Sequence, residues 1–476
     1  MKTILISAVA VAFALALTAG GGVRASESTP ARSPNIIYIL ADDLGYGDVG
    51  SYGQTRIATP HIDALAAQGM RFTQFYAGST VCTPSRSVLM EGKHNGHTVA
   101  RDNVPHYETY LRDDDVTVAE VLQMAGYRTG GVGKWSLGNA GSEGRATRQG
   151  FDRWFGYLNQ DHAHYYYTEY LDDDEGRMVF PGNSRTQQHY SHDLLTDQAL
   201  TFIDASADGP FFLYAAYTLP HYSSKDEDPT ELAVPCTGRY ADEPWSPAAK
   251  NYAAMVTRLD RDVGRLVARV EELGLTENTL IIFTSDNGPW GPIAAEFASS
   301  GPLRGVKRDL YEGGIRVPFI ARWPGVIPAA TVNDRVAAAW DIMPTLAELA
   351  GVKAPADTDG ISLVSALRGA DTAPTHDYLY FDFGHTRAVY HQAVRIGDWK
   401  GVRHGVGGPI ELYDLATDLG ESRDVAEAHP GVVARIDTVM AEAVVPNPYY
   451  RVGDIYTGSP IWTKETHWPA PAGTTN

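Results

Sequence analysis

The amino-acid sequence predicts an α/β protein: a large, mostly parallel central sheet sandwiched by helices, followed by a smaller C-terminal α+β subdomain. Asn35–Leu40, Phe211–Ala216 and Leu280–Thr284 are continuous apolar runs rather than alternating ones, which suits strands covered on both faces. Segments with apolar residues at helical spacing lie between them, and strands that alternate with helices build a layered α/β sheet. After Gly351 the pattern changes to linkers rich in Ala, Pro and Asp with short strands such as Ala393–Ile396. That change sets the subdomain apart. The expected divisions are 1–25 for a removable leader, 33–350 for the main domain and 351–476 for the subdomain.

The leader has Lys2, an apolar core from Ile4 to Leu17, and Val23 and Ala25 on either side of Arg24. This is the pattern of a secretory signal peptide. It predicts export, to the periplasm or beyond, after cleavage near Ala25. The apolar run is short for a bilayer, so no stable membrane insertion is expected. Further on, Thr59-Pro60 opens a helix that carries Ile62, Leu65 and Ala66 and stops at Gly69. Val116–Met124 forms the next. Ala248–Leu273 forms a long third, with Met255, Leu259, Val263, Leu266 and Val270 on one face. Two stretches, Tyr157–Arg185 and Tyr222–Ser246, have no periodicity. The first is rich in His and Tyr, and long loops of this kind usually serve a function.

A formal charge of −19 excludes nucleic acid as a partner, since phosphate binding needs clustered cations. If the substrate is anionic, a few local cations must overcome the overall repulsion. Cys82 and Cys236 are the two cysteines. An exported chain with two invites a disulfide, but the surroundings of Cys82 argue for another role.

Each apolar strand ends in polar groups: Asp42-Asp43 after Leu40, His221 after the strand at Phe211–Ala216, and Asp286-Asn287 after Thr284. Gly131-Val132-Gly133 likewise leads to Lys134. Carboxyl ends of strands line the binding crevice of an open α/β sheet, so these groups are expected to converge. Asp42, Asp43, Asp286 and Asn287 offer oxygen donors, which favour Ca²⁺ or Mg²⁺ over zinc. Cys82 precedes Thr83 and Pro84, which suit a helix start. It therefore sits where free N–H groups favour an anion, with Arg86 about one turn on. The residues alone leave open a buried inert cysteine or a Cys–His nucleophile.

Cys82-Thr83-Pro84-Ser85-Arg86 resembles the Cys-x-Pro-x-Arg signature of the formylglycine-dependent sulfatases. Ala41–Gly45, Gly133-Lys134-Trp135, Pro220-His221, Ser285–Gly288, Gly305-Val306-Lys307 and Glu312–Pro318 resemble that family's other motifs, in its order. The resemblance runs from about Asn35 to the neighbourhood of Arg423. It implies that a formylglycine-generating maturation enzyme oxidises Cys82 to an aldehyde. The hydrate of that aldehyde then attacks sulfur and forms a formylglycine-sulfate intermediate. It implies Ca²⁺ bound by Asp42, Asp43, Asp286, Asn287 and the converted Cys82. Arg86 would steady the hydrate, Lys134 and Lys307 would clamp the sulfate oxygens, and His221 would protonate the leaving alcohol. A metal and two lysines can stabilise charge that grows during attack on sulfur, and a poor alkoxide leaving group needs an acid.

One position departs from the pattern. Ser136 stands where many relatives have His, which leaves His97, His162, His164 or water to act as base in releasing sulfate. The Gln160–His164 loop and the segment Gly133–Gly138 resemble bacterial sulfatases acting on sulfated galactose or N-acetylgalactosamine. They make His162 and His164 expected substrate contacts, and a sulfated carbohydrate the expected substrate. A phosphomonoester or phosphonate hydrolase, and an inactive sulfoglycan-binding protein, are the alternatives.

Overall fold

A strand with apolar side chains on both faces needs two cores, and the protein has them. In strand β1 (Asn35–Ala41), Ile36, Tyr38 and Leu40 enter one buried cluster while Ile37, Ile39 and Ala41 enter another. The computed structural model describes residues 33–103, 111–174, 176–224, 226, 228–370, 374–458 and 461–468. The expected signal peptide lies outside the described residues.

The other strands of the main sheet are β2 (Met70–Tyr76), β3 (Arg128–Lys134), β4 (Arg153–Tyr157), β5 (Tyr170–Asp173), β6 (Gly176–Val179), β7 (Phe211–Ala216), β8 (Thr279–Ser285), β9 (Arg316–Arg322) and β10 (Thr331–Ala338). They form a ten-stranded sheet in the order β10-β2-β9-β8-β1-β7-β3-β4-β5-β6. The middle strands β8, β1, β7, β3 and β4 are parallel. Antiparallel pairs flank them at β8–β9, β9–β2, β4–β5 and β5–β6. The parallel centre thus brings the ends of β1, β3, β7 and β8 to one edge. Helix Pro247–Glu272 covers one face, starting at the Ser246 cap, whose side chain accepts from the Ala249 N–H. Met255, Leu259, Val263, Leu266 and Val270 are its buried stripe. Among the described residues, no helix is long and apolar enough to cross a membrane.

A separate four-stranded antiparallel sheet follows, made of β11 (Leu379–Phe383), β12 (His391–Ile396), β13 (Trp399–His404) and β14 (Ile410–Asp414). Helix Pro430–Glu442 packs Ile436 and Met440 against Tyr380, Val394 and Leu412 on one of its faces. The other face, through Phe381, Ala393 and Val402, joins a core of the main sheet. A buried ion cluster ties the two sheets. Lys400 Nζ lies 2.9 Å from Glu312 Oε1 and 3.0 Å from Glu421 Oε1, and Tyr76 donates to Glu312 at 2.6 Å. Burial alone would raise the Glu312 carboxyl, but Lys400, Arg316 and Arg395 hold it down at about 2. Replacing Lys400 by Met leaves the buried Glu421 carboxylate without its cation while Glu312 keeps Arg316, so it is expected to cost roughly 3–5 kcal/mol of stability. A urea unfolding midpoint unchanged from the parent would show that the cluster does not hold the sheets.

Candidate active site

The polar strand ends converge. Asp42 and Asp43 follow β1, Asp286 and Asn287 follow β8, and the Leu44 N–H donates to Ser285 Oγ at 3.0 Å, pinning the two ends together. Asp43 has φ 64°, a left-handed value that costs energy for a side chain of this kind. It is held by its own N–H donating to Asp286 Oδ1 at 3.2 Å. Asn287 Nδ2 donates to Asp43 Oδ1 at 2.7 Å. Gly133, at φ 102°, lets β3 approach β7: a Cβ there would meet the Ala216 carbonyl at 1.8 Å. Lys134 emerges from that close approach.

Helix Cys82–Glu91 is buried throughout. It begins at Cys82 itself, with Val81 extended before it and no side-chain cap. Thr83 does not cap it. Its N–H donates instead to Asn103 Oδ1 at 2.8 Å, which satisfies a first-turn donor from outside the helix. Cys82 Sγ lies 3.2 Å from Asp42 Oδ1 and 3.5 Å from Lys307 Nζ. Burial, then the Asp42 charge, push this thiol up to about 12. It is therefore protonated at neutral pH and a poor nucleophile.

Three buried cations face the carboxylates. Arg86 Nη2 is 2.7 Å from Asp286 Oδ2 and 3.3 Å from Asp42 Oδ2. Lys134 Nζ donates to Asp42 Oδ2 at 2.8 Å. Lys307 Nζ contacts Asp43 Oδ1 at 2.7 Å and His221 Nε2 at 2.9 Å. Burial would raise Asp42, yet Lys134, His221, Arg86 and Lys307 together hold it well below the usual carboxylate range. Asp286 goes the other way, to about 7, through burial and the Asp42 charge. His221 hydrogen-bonds the Tyr222 carbonyl through Nδ1 at 2.7 Å, so Nε2 is the nitrogen that faces the site. Burial brings its pKa down to about 4, which leaves the ring neutral.

Asp42, Asp43, Cys82 and His221 can each bring one donor atom within 4.8 Å of the others, a geometry able to hold a metal ion. Asn287 Oδ1 is buried without a hydrogen-bond partner among the described residues. An orphaned oxygen among carboxylates is what a hard cation site leaves when the protein atoms are considered alone.

The expected histidines part company. His164 packs edge-on against His221, ring centroids 4.7 Å apart, and its buried Nε2 has no hydrogen-bond partner among the described residues. Burial, then His221 and Lys134, hold its pKa well below the usual value. His162 is not brought to the site. Its Nε2 bonds Thr168 Oγ1 at 2.7 Å and its ring stacks on Trp462 at 4.7 Å. His97 bonds Asp359 at 2.9 Å, beyond the far end of helix Cys82–Glu91. Ser136 Oγ donates to Gln160 Oε1 at 2.9 Å, which also accepts from Thr83 Oγ1 at 3.2 Å. Cys236 is exposed and both cysteines are free. The sequence reading assigned no role to Gln160, Tyr222 or Trp290. Their sequence proximity to His164, His221 and Asn287 was the available signal.

Residues 34–352 match the family described as Sulfatase, and residues 306–443 match N-sulphoglucosamine sulphohydrolase, C-terminal. The chain belongs to the sulfatase family. This sulfatase is 35% identical to arylsulfatase A of Homo sapiens, covering 88% of each chain. It is 33% identical to N-acetylgalactosamine-6-sulfatase of Canis lupus familiaris, over 81% of this chain and 74% of that one. Its fold is similar to the crystal structure of Ps i-CgsB in complex with k-i-k-neocarrahexaose. There the TM-score is 0.76 at 28% identity, over 86% of this chain and 92% of that one. The protein is a sulfuric ester hydrolase rather than the phosphoester hydrolase or inactive binder also open from the sequence.

Proposed function

We propose that this sulfatase removes sulfate from carbohydrates, with Cys82 converted to formylglycine by a maturation enzyme and Ca²⁺ held by Asp42, Asp43, Asp286, Asn287 and the converted residue. The observation that carries the reading is the place of Cys82, buried at the start of its helix with Sγ 3.2 Å from Asp42 Oδ1 and 3.5 Å from Lys307 Nζ, among the cations and carboxylates of the converging strand ends. Burial and the Asp42 charge raise its thiol pKa, which supports conversion over direct attack by sulfur. Sulfated galactose or N-acetylgalactosamine units fit best, given the relative named for N-acetylgalactosamine 6-sulfate and the neighbour that binds a carrahexaose. Residues 1–25 read as a signal peptide for export, and 33–350 and 351–476 as catalytic domain and subdomain.

The oxygen donors of the site and the orphaned Asn287 Oδ1 fit Ca²⁺. Bound there, it would supply fixed positive charge to the reacting oxygens, and a hydrated formylglycine would supply the attacking hydroxyl. Lys307, 3.5 Å from Cys82 Sγ, and Lys134, paired to the Asp42 that Cys82 touches, meet the charge that grows on the sulfate oxygens. Arg86, fully buried and paired to Asp286 and Asp42, orients those carboxylates. His164 offers Nε2 to the substrate or to the release step; Ser136, committed to Gln160, does not act as base.

His221 Nε2 is the atom that gives a proton to the leaving oxygen. It is neutral in the site as described, and the negative charge of a bound sulfate ester raises its affinity for a proton. His221→Ala is expected to lose roughly 10²–10⁴-fold on a sugar sulfate and far less on a nitrophenyl sulfate, whose weakly basic phenolate leaves unaided. Equal losses on the two substrates, in a variant that still binds Ca²⁺, would assign the acid role elsewhere.

A further inference from the structure

The segments that carry Lys134 and Gln160 continue beyond the active site. Past the ends of β3 and β4 they stay paired: the Trp135 N–H donates to the Tyr157 carbonyl at 2.9 Å, and the Ser136 N–H to the Leu158 carbonyl at 3.1 Å. Further out, Asn159 Nδ2 donates to Asn139 Oδ1 at 2.8 Å. Beside that bond lies a cavity of about 230 Å³, walled by Asn139, Asn159, Tyr170, Asp172, Arg177 and Trp462, that meets the surface at Ala140 and Gly141. It has room for far more than one water. Asn139 is five residues beyond Lys134, so at most roughly 18 Å of chain separates the cavity from the active site.

Two polar groups of this cavity lack the bonds that burial demands. Asn159 Oδ1 accepts from the Asp161 and His162 N–H groups at 2.7 and 3.3 Å. That fixes the Asn159 amide and leaves Asn139 Nδ2 as the remaining donor of the pair. Among the described residues, this buried nitrogen has no hydrogen-bond partner. Asp172 is 4% exposed, and its ion pair with Arg177 Nε, at 3.6 Å, is longer than a hydrogen bond. Burial raises its carboxyl to about 6, against the charges of Arg177 and Arg145. A buried donor and a buried, weakly paired acceptor on one cavity require a ligand that offers both.

The rings of the wall are already engaged. Trp462 Nε1 donates to the Tyr170 hydroxyl at 2.9 Å, and the Trp462 ring stacks with His162 at 4.7 Å and His467 at 5.5 Å. His162, absent from the active site, thus supports this wall instead. The Arg177 guanidinium lies 4.0 Å over the Tyr170 ring. Recognition therefore falls to Asp172, Arg177 and the Asn139 amide. An anion here would meet the buried Asp172 carboxylate, and a cation would meet Arg177. A neutral polyhydroxyl ligand meets neither penalty.

We propose that this cavity binds an unsulfated sugar unit of the substrate glycan, with Asp172 accepting from its hydroxyls while Asn139 Nδ2 and Arg177 donate to its oxygens. The proposal rests on the carbohydrate reading given above. It extends that reading from one sulfated sugar to a chain that runs from the active site along the ends of β3 and β4.

The test compares kcat/KM on N-acetylgalactosamine 6-sulfate and on a tetrasaccharide that carries the same sulfated unit at its end. Asp172→Asn keeps the shape and removes the charge; Asn139→Ala removes the amide. The parent is expected to prefer the tetrasaccharide. Each variant should lose about tenfold on the tetrasaccharide, through KM, the size of one charge-assisted hydrogen bond. On the monosaccharide both should match the parent. Equal losses on the two substrates would mean that Asp172 and Asn139 only support the fold. A parent without preference for the tetrasaccharide, or variants that match it on both substrates, would leave the cavity without a sugar. Each of these results overturns the subsite and leaves the carbohydrate reading standing. A parent enzyme that turns over nitrophenyl sulfate but neither sugar would overturn the carbohydrate reading and this subsite with it.

Discussion

Cys82→Ser, produced beside a maturation enzyme that oxidises only cysteine, is expected to fold as the parent does and to lose roughly 10⁴–10⁶-fold in kcat, the scale of removing a nucleophile. Folding should survive because the side chain's contacts are with Asp42 Oδ1 and Lys307 Nζ, and a hydroxyl can keep both. Activity should not. The serine hydroxyl has no free base beside it: His221 Nε2 meets Lys307 Nζ at 2.9 Å, and Asp42 is held ionised and weakly basic by Lys134, Arg86 and Lys307 despite its burial. Turnover within tenfold of the parent would show that a plain hydroxyl suffices and that conversion of Cys82 is unnecessary.

Asp286→Ala is expected to abolish turnover, to lose the Ca²⁺ proposed for the site and to cost roughly 3–5 kcal/mol of stability. Three interactions vanish together. Arg86 loses the acceptor of both Nε and Nη2, at 3.1 and 2.7 Å, and keeps Asp42 at 3.3 Å. Asp43 loses the acceptor of its backbone N–H, which holds its left-handed conformation. The metal loses a carboxylate. Elemental analysis and denaturant unfolding read the two consequences separately. A variant that retains Ca²⁺ and parental stability would remove Asp286 from the site.

The centre of the sheet was legible because burial on both faces writes itself into composition: β1, β7 and β8 are buried throughout and carry unbroken apolar runs at Ile36–Ala41, Phe211–Ala216 and Leu280–Phe283. Helix Pro247–Glu272 was legible from its apolar stripe. The outer strands were not. β2 mixes buried with half-buried positions and β10 is buried only at its last two residues, so neither carries the continuous signature. Of the C-terminal sheet only β12 stood out, since its partners are short and mixed in character. At the site, the strand-end residues were legible through their order and spacing. The direction of a ring was not: His162 and His164 are two residues apart, yet one meets Trp462 and the other His221. The first contact depends on a chain segment far along the sequence that no local pattern announces. The start of helix Cys82–Glu91 lies two residues before the one expected from a cap at Thr83 and a first position at Pro84, since Asn103 satisfies the donor that a local cap would have served.

Peptide mass spectrometry of active protein, on the fragment that contains residue 82, tests the central claim most directly. The account predicts an aldehyde at that position, trapped by a carbonyl reagent, in proportion to specific activity across preparations. An intact Cys82 thiol in fully active protein would contradict it and return the nucleophile to the cysteine itself.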